Sequence, residues 1–466
     1  MTMKRLLPVL LLSGCAIPAS PPAVTPIAPA ELGLGSASAP LVAGDWWKQL
    51  GDPQLDRLVA DATAGNPDLD TALARVRQAE AVMSARRAED GVNVGFDGSV
   101  QAARLSARYT IPPPFAGTLR TVGQAQANLA WNLDLFGRQR AAIEAAREST
   151  RAAGLDLAAA RLAIAGSVVQ TYIDLARAER VAALASRTIA TRQESLRLVR
   201  VRISNRLASE LDATASETLV AQARGALVRA QGARALAANA LAALAGRGTD
   251  YAASIAPARV DLDAAVPVPA VLPADLLSRR ADIAAAETRI AAAAAGRQVA
   301  RRVFYPNVNL AAFAGLQAIG LGNLLSLDAG TAGAGPAIHL PLFDNGRLRA
   351  DLAGATAALD LATADYNQRV IGAVREAADA IALTGNLIEQ RARSREVVRG
   401  FVETDRLNVV RVNSGLSSRL DLIDNDVRLL DAQLADANLA ADAARQRVAL
   451  LLALGGGFSP DQDVRP

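Results

Sequence analysis

Cysteine is almost absent from this chain of 466 residues. Cys15 is the only one, so no disulfide framework can form. Histidine is equally scarce, with His339 alone, and without a second His or Cys no zinc-type cluster can be assembled. No phosphate-binding P-loop, dinucleotide Gly-rich loop or nucleophile elbow is present. The sequence is therefore read as a non-enzyme with no metal and no cofactor, and His339 as structural. Lysine is confined to Lys4 and Lys48, so nearly every base is an arginine, as GC-rich coding gives. Lys+Arg 50 stand against Asp+Glu 46, interspersed rather than gathered into the basic stripe that nucleic-acid binding needs. Long apolar runs are missing too. Although 51% of residues are hydrophobic, no stretch of about 20 apolar residues follows the leader, which argues against a membrane-spanning helix. A bilayer crossing would then demand a closed β-barrel, which satisfies its own backbone.

Proline is absent from two long tracts, between Pro114 and Pro257 and between Pro341 and Pro460. Helix interiors exclude proline, and these tracts are rich in Ala, Leu, Arg, Glu and Gln, which form helices well. A helix from Arg138 to about Asn205 would run roughly 100 Å at ~1.5 Å per residue. A matching helix starts near Gly346. The last helix carries an a/d seam in which Leu420, Val427, Leu434, Ala441 and Val448 recur every seven residues, beside Ile423, Leu430, Ala437, Ala444 and Leu451.

The amino terminus reads as an export signal over residues 1–14, with Lys4 and Arg5 before the apolar Leu6 to Leu12. Leu12-Ser13-Gly14-Cys15 resembles a bacterial lipoprotein box, which implies cleavage before Cys15 and lipidation of it. Ala16 rather than Asp follows, which favours the outer membrane. The Pro-, Ala- and Ser-rich stretch over 15–44 reads as a flexible, lipid-anchored tether.

The chain repeats itself. Gly137-Arg138-Gln139-Arg140-Ala141 returns as Gly346-Arg347-Leu348-Arg349-Ala350, and Leu211-Asp212 as Leu420-Asp421, each 209 positions on. Asn66-Pro67-Asp68-Leu69 returns as Arg280-Ala281-Asp282-Ile283. Two copies are therefore expected, over 45–256 and 274–457, joined by a Pro-rich linker at 257–273. Each copy interrupts its helices with a Gly-, Asn- and Thr-rich strand pair, at about 92–136 and 306–343; helices resume over about 346–454. Val92-Asn93-Val94-Gly95-Phe96 alternates as a two-faced strand does. Nine of the sixteen aromatics cluster in or beside these segments: Phe96, Tyr109, Phe115, Trp131, Phe136, Phe304, Tyr305, Phe313 and Phe343. Aromatic girdles are a feature of membrane barrels. Four strands cannot close around a lumen, and an open sheet cannot face lipid. Transmembrane strands would therefore require oligomerisation, and three chains would supply twelve.

These residues together resemble the TolC-like outer-membrane efflux proteins, lipoprotein branch (NodT or OprM type). The resemblance covers essentially the whole mature chain. It rests on Asp45-Trp46-Trp47, Gly51-Asp52-Pro53-Gln54-Leu55, Asn66-Pro67-Asp68-Leu69, Trp131-Asn132-Leu133-Asp134-Leu135-Phe136-Gly137-Arg138, Arg279-Arg280-Ala281-Asp282-Ile283, Phe304-Tyr305-Pro306, and Leu340-Pro341-Leu342-Phe343. Ala281 stands where proline is usual. The resemblance implies a mainly α fold with a transmembrane β-barrel: long antiparallel helical hairpins forming a periplasmic tube, plus four strands per protomer in a homotrimer. It further implies an outer-membrane exit duct for a tripartite efflux system, docked to a periplasmic adaptor (membrane fusion) protein and an inner-membrane pump, commonly of the RND class.

In such proteins aspartate rings control the periplasmic tip. Asp421 and Asp424 fall on those acidic positions, and Asp212 is the first-copy counterpart of Asp421. Crowded carboxylates in a narrow lumen repel one another and attract cations. Val412 and Ser417 occupy the places of the family's closing tyrosine and arginine, so the closed state is expected to lock differently. Two other readings stay open on the sequence: a duct for type I protein secretion, and a non-channel periplasmic coiled-coil lipoprotein scaffold.

Overall fold

The computed structural model describes residues 21–34, 42–108, 111–262, 274–341 and 344–458. Cys15, the signal segment, Tyr109, Phe343 and most of the 257–273 linker lie outside the described residues. In chain order the main elements are α1 (Pro53–Gly65), α2 (Pro67–Ala88), β1 (Asn93–Arg104), β2 (Leu119–Asn132), α3 (Arg138–Ser204), α4 (Glu210–Leu244) and α5 (Thr249–Ser254). The second copy follows as α6 (Ala281–Arg302), β3 (Asn307–Ile319), β4 (Gly330–His339), α7 (Asn345–Asn413) and α8 (Arg419–Ala453). The helices α3 and α7, 67 and 69 residues long, fill the proline-free tracts.

Two compact units share these elements. The first is drawn from Met1–Pro26, Arg75–Ala153 and Ala286–Tyr366, and it contains the sheet. The strands run β1-β2-β3-β4, every neighbour antiparallel. β2 of the first copy pairs with β3 of the second, Ala127 facing Ala314 and Trp131 facing Leu310. At the foot of the sheet Phe304, Leu348 and Leu352 form a small buried cluster.

The second unit is drawn from Ile27–Ala74, Gly154–Ala285 and Asn367–Pro466. Its core joins Trp46 and the α1 residues Leu55, Leu58 and Val59 to Val168, Val169, Tyr172 and Ile173 of α3. Ala237, Ala238 and Leu241 of α4 and Ala440, Ala441, Ala444 and Val448 of α8 complete it. Each large side chain buried there contributes about 1.5–3 kcal/mol. This core changes one reading of the sequence: α3 does carry a stretch long and apolar enough to cross a bilayer by length and composition. Val168, Val169, Tyr172 and Ile173 of that helix are instead fully enclosed by protein. On α8 the heptad positions Ile423, Val427, Leu430, Ala437, Ala441, Ala444 and Val448 are buried, and so are Ala440, Ala443 and Leu450. The buried face is wider than a two-helix seam because α8 packs against more than one neighbour.

The duplication is visible in how helices end. Asn66 donates its side-chain amide to the carbonyl of Leu244 at 2.8 Å, the last residue of α4. Arg280 reaches the carbonyl of Ala453, the last residue of α8, at 3.5 Å. A long guanidinium has replaced a short amide in the same task. It is held there by Asp282 at 2.8 Å and Glu376 at 2.9 Å. After each helix a glycine turns left-handed against a carbonyl. A Cβ on Gly246 would stand 2.0 Å from the Gly65 oxygen, and one on Gly455 2.3 Å from the Arg279 oxygen.

Within the stretch expected to be a flexible tether, Ala23, Val24 and Ile27 have partners on α7. The amides of Ala23 and Val24 donate to Asp360, and that of Ile27 donates to Asn367. Asp360 and Asn367 lie two turns apart on one helix face, which suits an extended segment laid along it.

Candidate functional site

The register sorts every strand residue onto one of two faces, because successive side chains alternate. One face carries Val94, Phe96 and Val100 of β1, then Ala125, Ala127, Leu129 and Trp131 of β2. It continues through Leu310, Ala312, Ala314 and Leu316 of β3 and Ala332, Ala334, Pro336 and Ile338 of β4. No charged residue interrupts it between Val94 and Val100 or in the facing strands. Phe96 is 74% exposed, Ile338 70% and Val100 60%, which water would not favour.

The opposite face is polar. Gln124 donates to Gln126, Gln126 to Asn128 at 2.8 Å, and Asn128 to the Asp97 carboxylate at 2.6 Å, forming a ladder of side-chain amides across the strand pair. Asn307, Asn309, Gln317, Thr331 and His339 share that face. Phe313 is its large apolar member, and it lies over Gly333, where a Cβ would come within 2.7 Å of the ring. An apolar outside and a wet inside are what a membrane barrel wall requires. Among the described residues, β1 and β4 remain unpaired edges. An open edge cannot persist in hydrocarbon.

At the strand-to-helix junction the Asp134 backbone is left-handed at φ 43, which directs its carboxylate at the start of α3. One oxygen accepts the Gln139 amide and the other the Arg140 amide, both at 2.9 Å. Phe136 and Tyr305 stack beside it at 5.2 Å.

The chain matches the family described as Outer membrane efflux protein over residues 58–247 and again over 272–456. The chain belongs to this outer-membrane efflux protein family. It is similar to the probable efflux pump outer membrane protein TtgC of Pseudomonas putida, 31% identical over 96% of this chain and 94% of that protein. Fusaric acid resistance protein FusA of Burkholderia cepacia is 34% identical over 68% of this chain and 60% of its own length. Among solved structures, the outer membrane protein VceC of Vibrio cholerae matches with a TM-score of 0.81 and 32% identity, covering 90% of this chain and all of that one. The two-sided sheet is thus the membrane-facing wall of an outer-membrane efflux channel, and the doubled family match is the tandem repeat.

The residues read as a gate lie at the two hairpin turns, in the second unit. Both turns are built alike. The amides of Arg206 and Leu207 return to the carbonyls of Ile203 and Arg202, and those of Gly415 and Leu416 to Val412 and Arg411. This is the paired bonding of a Schellman helix end. It needs a left-handed residue, and Gly415 (φ 71) meets that need in one copy while Arg206 (φ 59) bears the strain in the other. Each following helix opens with a capping box, Ser209 with Asp212 and Ser418 with Asp421. Asp421 accepts the Ser418 amide and the hydroxyls of Ser417 and Ser418, all at 2.9 Å. The Ser418 amide, then the Ser417 and Ser418 hydroxyls, hold its carboxyl below the ordinary aspartate range. Asp212 is lowered in the same way, first by the Ser209 amide. Asp424, one turn on, pairs with Arg428 at 2.9 Å. The Ser417 hydroxyl is thus committed to Asp421.

Sequence reading missed the ties between α3 and α8. Arg177 bridges Asp174 and Asp442, at 3.1 and 3.4 Å, and Arg445 also reaches Asp174 at 3.1 Å. Nearer the tip Arg419 stands 3.9 Å from Glu194. Arg177 and Asp174 are neighbours on one turn of α3, but the Arg177–Asp442, Arg445–Asp174 and Arg419–Glu194 pairs are far apart in sequence and follow no fixed spacing; only the antiparallel register of the two helices brings them together.

Proposed function

We propose that this outer-membrane efflux protein works as a homotrimer, three four-stranded sheets closing one twelve-stranded barrel and the long helices together forming a tube. The observation that carries this reading is the sheet with one continuous apolar face and two unpaired edges. Joining β4 of one copy to β1 of the next removes both edges and needs no further element. The hairpin tips would meet a periplasmic adaptor, and through it an inner-membrane pump of the RND class. Relatives of similar identity are named for toluene, antibiotic and fusaric acid efflux or resistance. Cargo so unlike in chemistry supports a conduit in which selection belongs to the pump, with no catalysis by the duct. Lipidation of Cys15 would anchor the chain in the outer membrane beside its barrel.

Asp421, Asp424 and Asp212 are the gate in this reading. In a trimer, Asp421 and Asp424 crowd six carboxylates around one axis, where they repel and collect cations. The capping role of Asp421 ties that charge to the end of α8, so tip charge and helix start are set by one residue. Replacing Asp421→Ala and Asp424→Ala together is expected to leave an SDS-resistant, heat-modifiable trimer in the outer-membrane fraction. In planar bilayers its conductance should rise and its cation preference fall. A chain that fractionates as a soluble monomer overturns the duct; an assembled variant with wild-type conductance and selectivity overturns the gate.

A further inference from the structure

At the foot of the sheet, within the first unit, lies a cavity of about 200 Å³ between Phe136, Arg138, Arg302, Tyr305, Asn307 and His339. Asn307 and His339 are register partners on the polar face, so the cavity opens on the side of the sheet that the duct reading makes the lumen. The acidic residues of its wall are already engaged. Both Asp134 oxygens accept backbone amides, and Asp344 is paired with Arg347. Arg302 commits one nitrogen to the Gly137 carbonyl. The guanidinium of Arg138, the first residue of α3, has no hydrogen-bond or ion-pair partner among the described residues. The stacked Phe136 and Tyr305 rings form an apolar wall beside it.

We infer that this notch is a weak subsite for small amphiphilic oxyanions, such as aromatic carboxylates. Arg138 receives the carboxylate, Arg302 and His339 stand behind it, and the Phe136–Tyr305 pair takes the ring. A free guanidinium presents a planar fork of donors matched to a carboxylate, and its neighbours are too committed to neutralise it. The cavity falls below the size of pockets that hold ligands tightly, about 300 Å³ and more. Weak retention suits a conduit, where a solute must bind well enough to enter and loosely enough to leave. The inference rests on the duct reading only for which solutes reach the notch, and binding is measurable without transport.

Saturation-transfer NMR on the detergent-solubilised full-length trimer tests it, with benzoate as probe and benzylamine and inorganic phosphate as comparators. Benzoate is expected to bind saturably in the millimolar range, phosphate more weakly, and benzylamine not at all. Arg138→Gln removes a charge-assisted hydrogen bond and should weaken benzoate about tenfold. Phe136→Leu should weaken benzoate and leave phosphate unchanged. Arg147→Gln, which removes an exposed arginine of the same helix paired with Glu144, should change nothing. Equal benzoate affinity in the wild type and Arg138→Gln, or no saturable binding, overturns the site. Equal affinity for phosphate and benzoate overturns the part played by the rings. Assembly is read on the same samples: a monomer counts against the duct, and an intact trimer that binds nothing counts against the notch.

Discussion

Tyr172→Phe removes one oxygen from the centre of the second unit and leaves the ring in place. The Tyr172 side chain is fully buried. Its hydroxyl donates to Asp52 at 2.6 Å and accepts from Gln54 at 3.0 Å. After the change Gln54 still donates to the Ala256 carbonyl, and Asp52 still accepts the amides of Gln54 and Arg259, so no partner is orphaned. The cost is then one hydrogen bond to a charged group, about 1.5–3 kcal/mol. Asp52 is 5% exposed, so water does not replace the lost donor, and the upper half of that range is expected. The loss falls on α1, whose first turn Asp52 caps. At a factor of ten for each ~1.4 kcal/mol, local opening of α1 becomes about 40- to 140-fold more frequent. Hydrogen exchange on the solubilised trimer should show the amides of α1 losing protection by that factor while those of β2 and β3 stay unchanged. Unchanged protection in α1 would refute the claim that this hydrogen bond holds the amino-terminal helix to the core. The pH dependence follows from the same atoms. Burial raises the Asp52 carboxyl, but the Tyr172 hydroxyl and the Arg259 and Gln54 amides outweigh it and leave it below its ordinary value. A lowered carboxyl stabilises the fold above its unfolded pKa, and the contribution disappears as pH falls through the folded one. The difference between the wild type and Tyr172→Phe should therefore shrink in acid, below about pH 4.

Three further outcomes follow from other places in the fold. Val100→Arg sets a charge on the apolar face and should cost about 2–4 kcal/mol near mid-membrane, abolishing the heat-resistant trimer, whereas Gln101→Arg on the adjoining polar position should assemble. Gly455→Ala forces a Cβ to 2.3 Å from the Arg279 carbonyl at φ 102, so the melting temperature of the trimer should fall measurably. Burial first, and then the Asp405 charge, raise the Asp426 carboxyl. A raised carboxyl favours the fold as pH falls, so Asp426→Asn should raise the melting temperature at neutral pH and lose that advantage in acid.

The long helices and strand pairs were legible in the sequence because their signals are local. Proline exclusion marked out the tracts that α3 and α7 occupy, since one ring in a helix interior breaks it wherever the rest of the chain lies; the repeated Gly-Arg motifs put their starts within a residue or two of Arg138 and Asn345, while the end of α7 at Asn413 was not read from the sequence. Period-two alternation around Val94 and Phe96 gave the strands, and the repeat of 209 positions gave two copies. Asp421 and Asp212 were legible as an equivalent pair, since Leu211-Asp212 returns 209 positions on as Leu420-Asp421, each aspartate three positions after a serine. Their tie to those serines as caps was not drawn from that spacing, although it is the capping-box signature.

What the tertiary structure alone decided is where distant residues meet. Nothing local places Tyr172 on Asp52, Arg280 on Glu376, or Arg445 on Asp174. Nor does a local pattern show that β2 of one copy pairs with β3 of the other, or that an amino-terminal stretch read as flexible finds Asp360 and Asn367. Such contacts depend on helix register and strand order over hundreds of residues, and a one-residue slip in either would change every partner. Periodicity specifies which face of an element is apolar; only packing specifies what that face is set against.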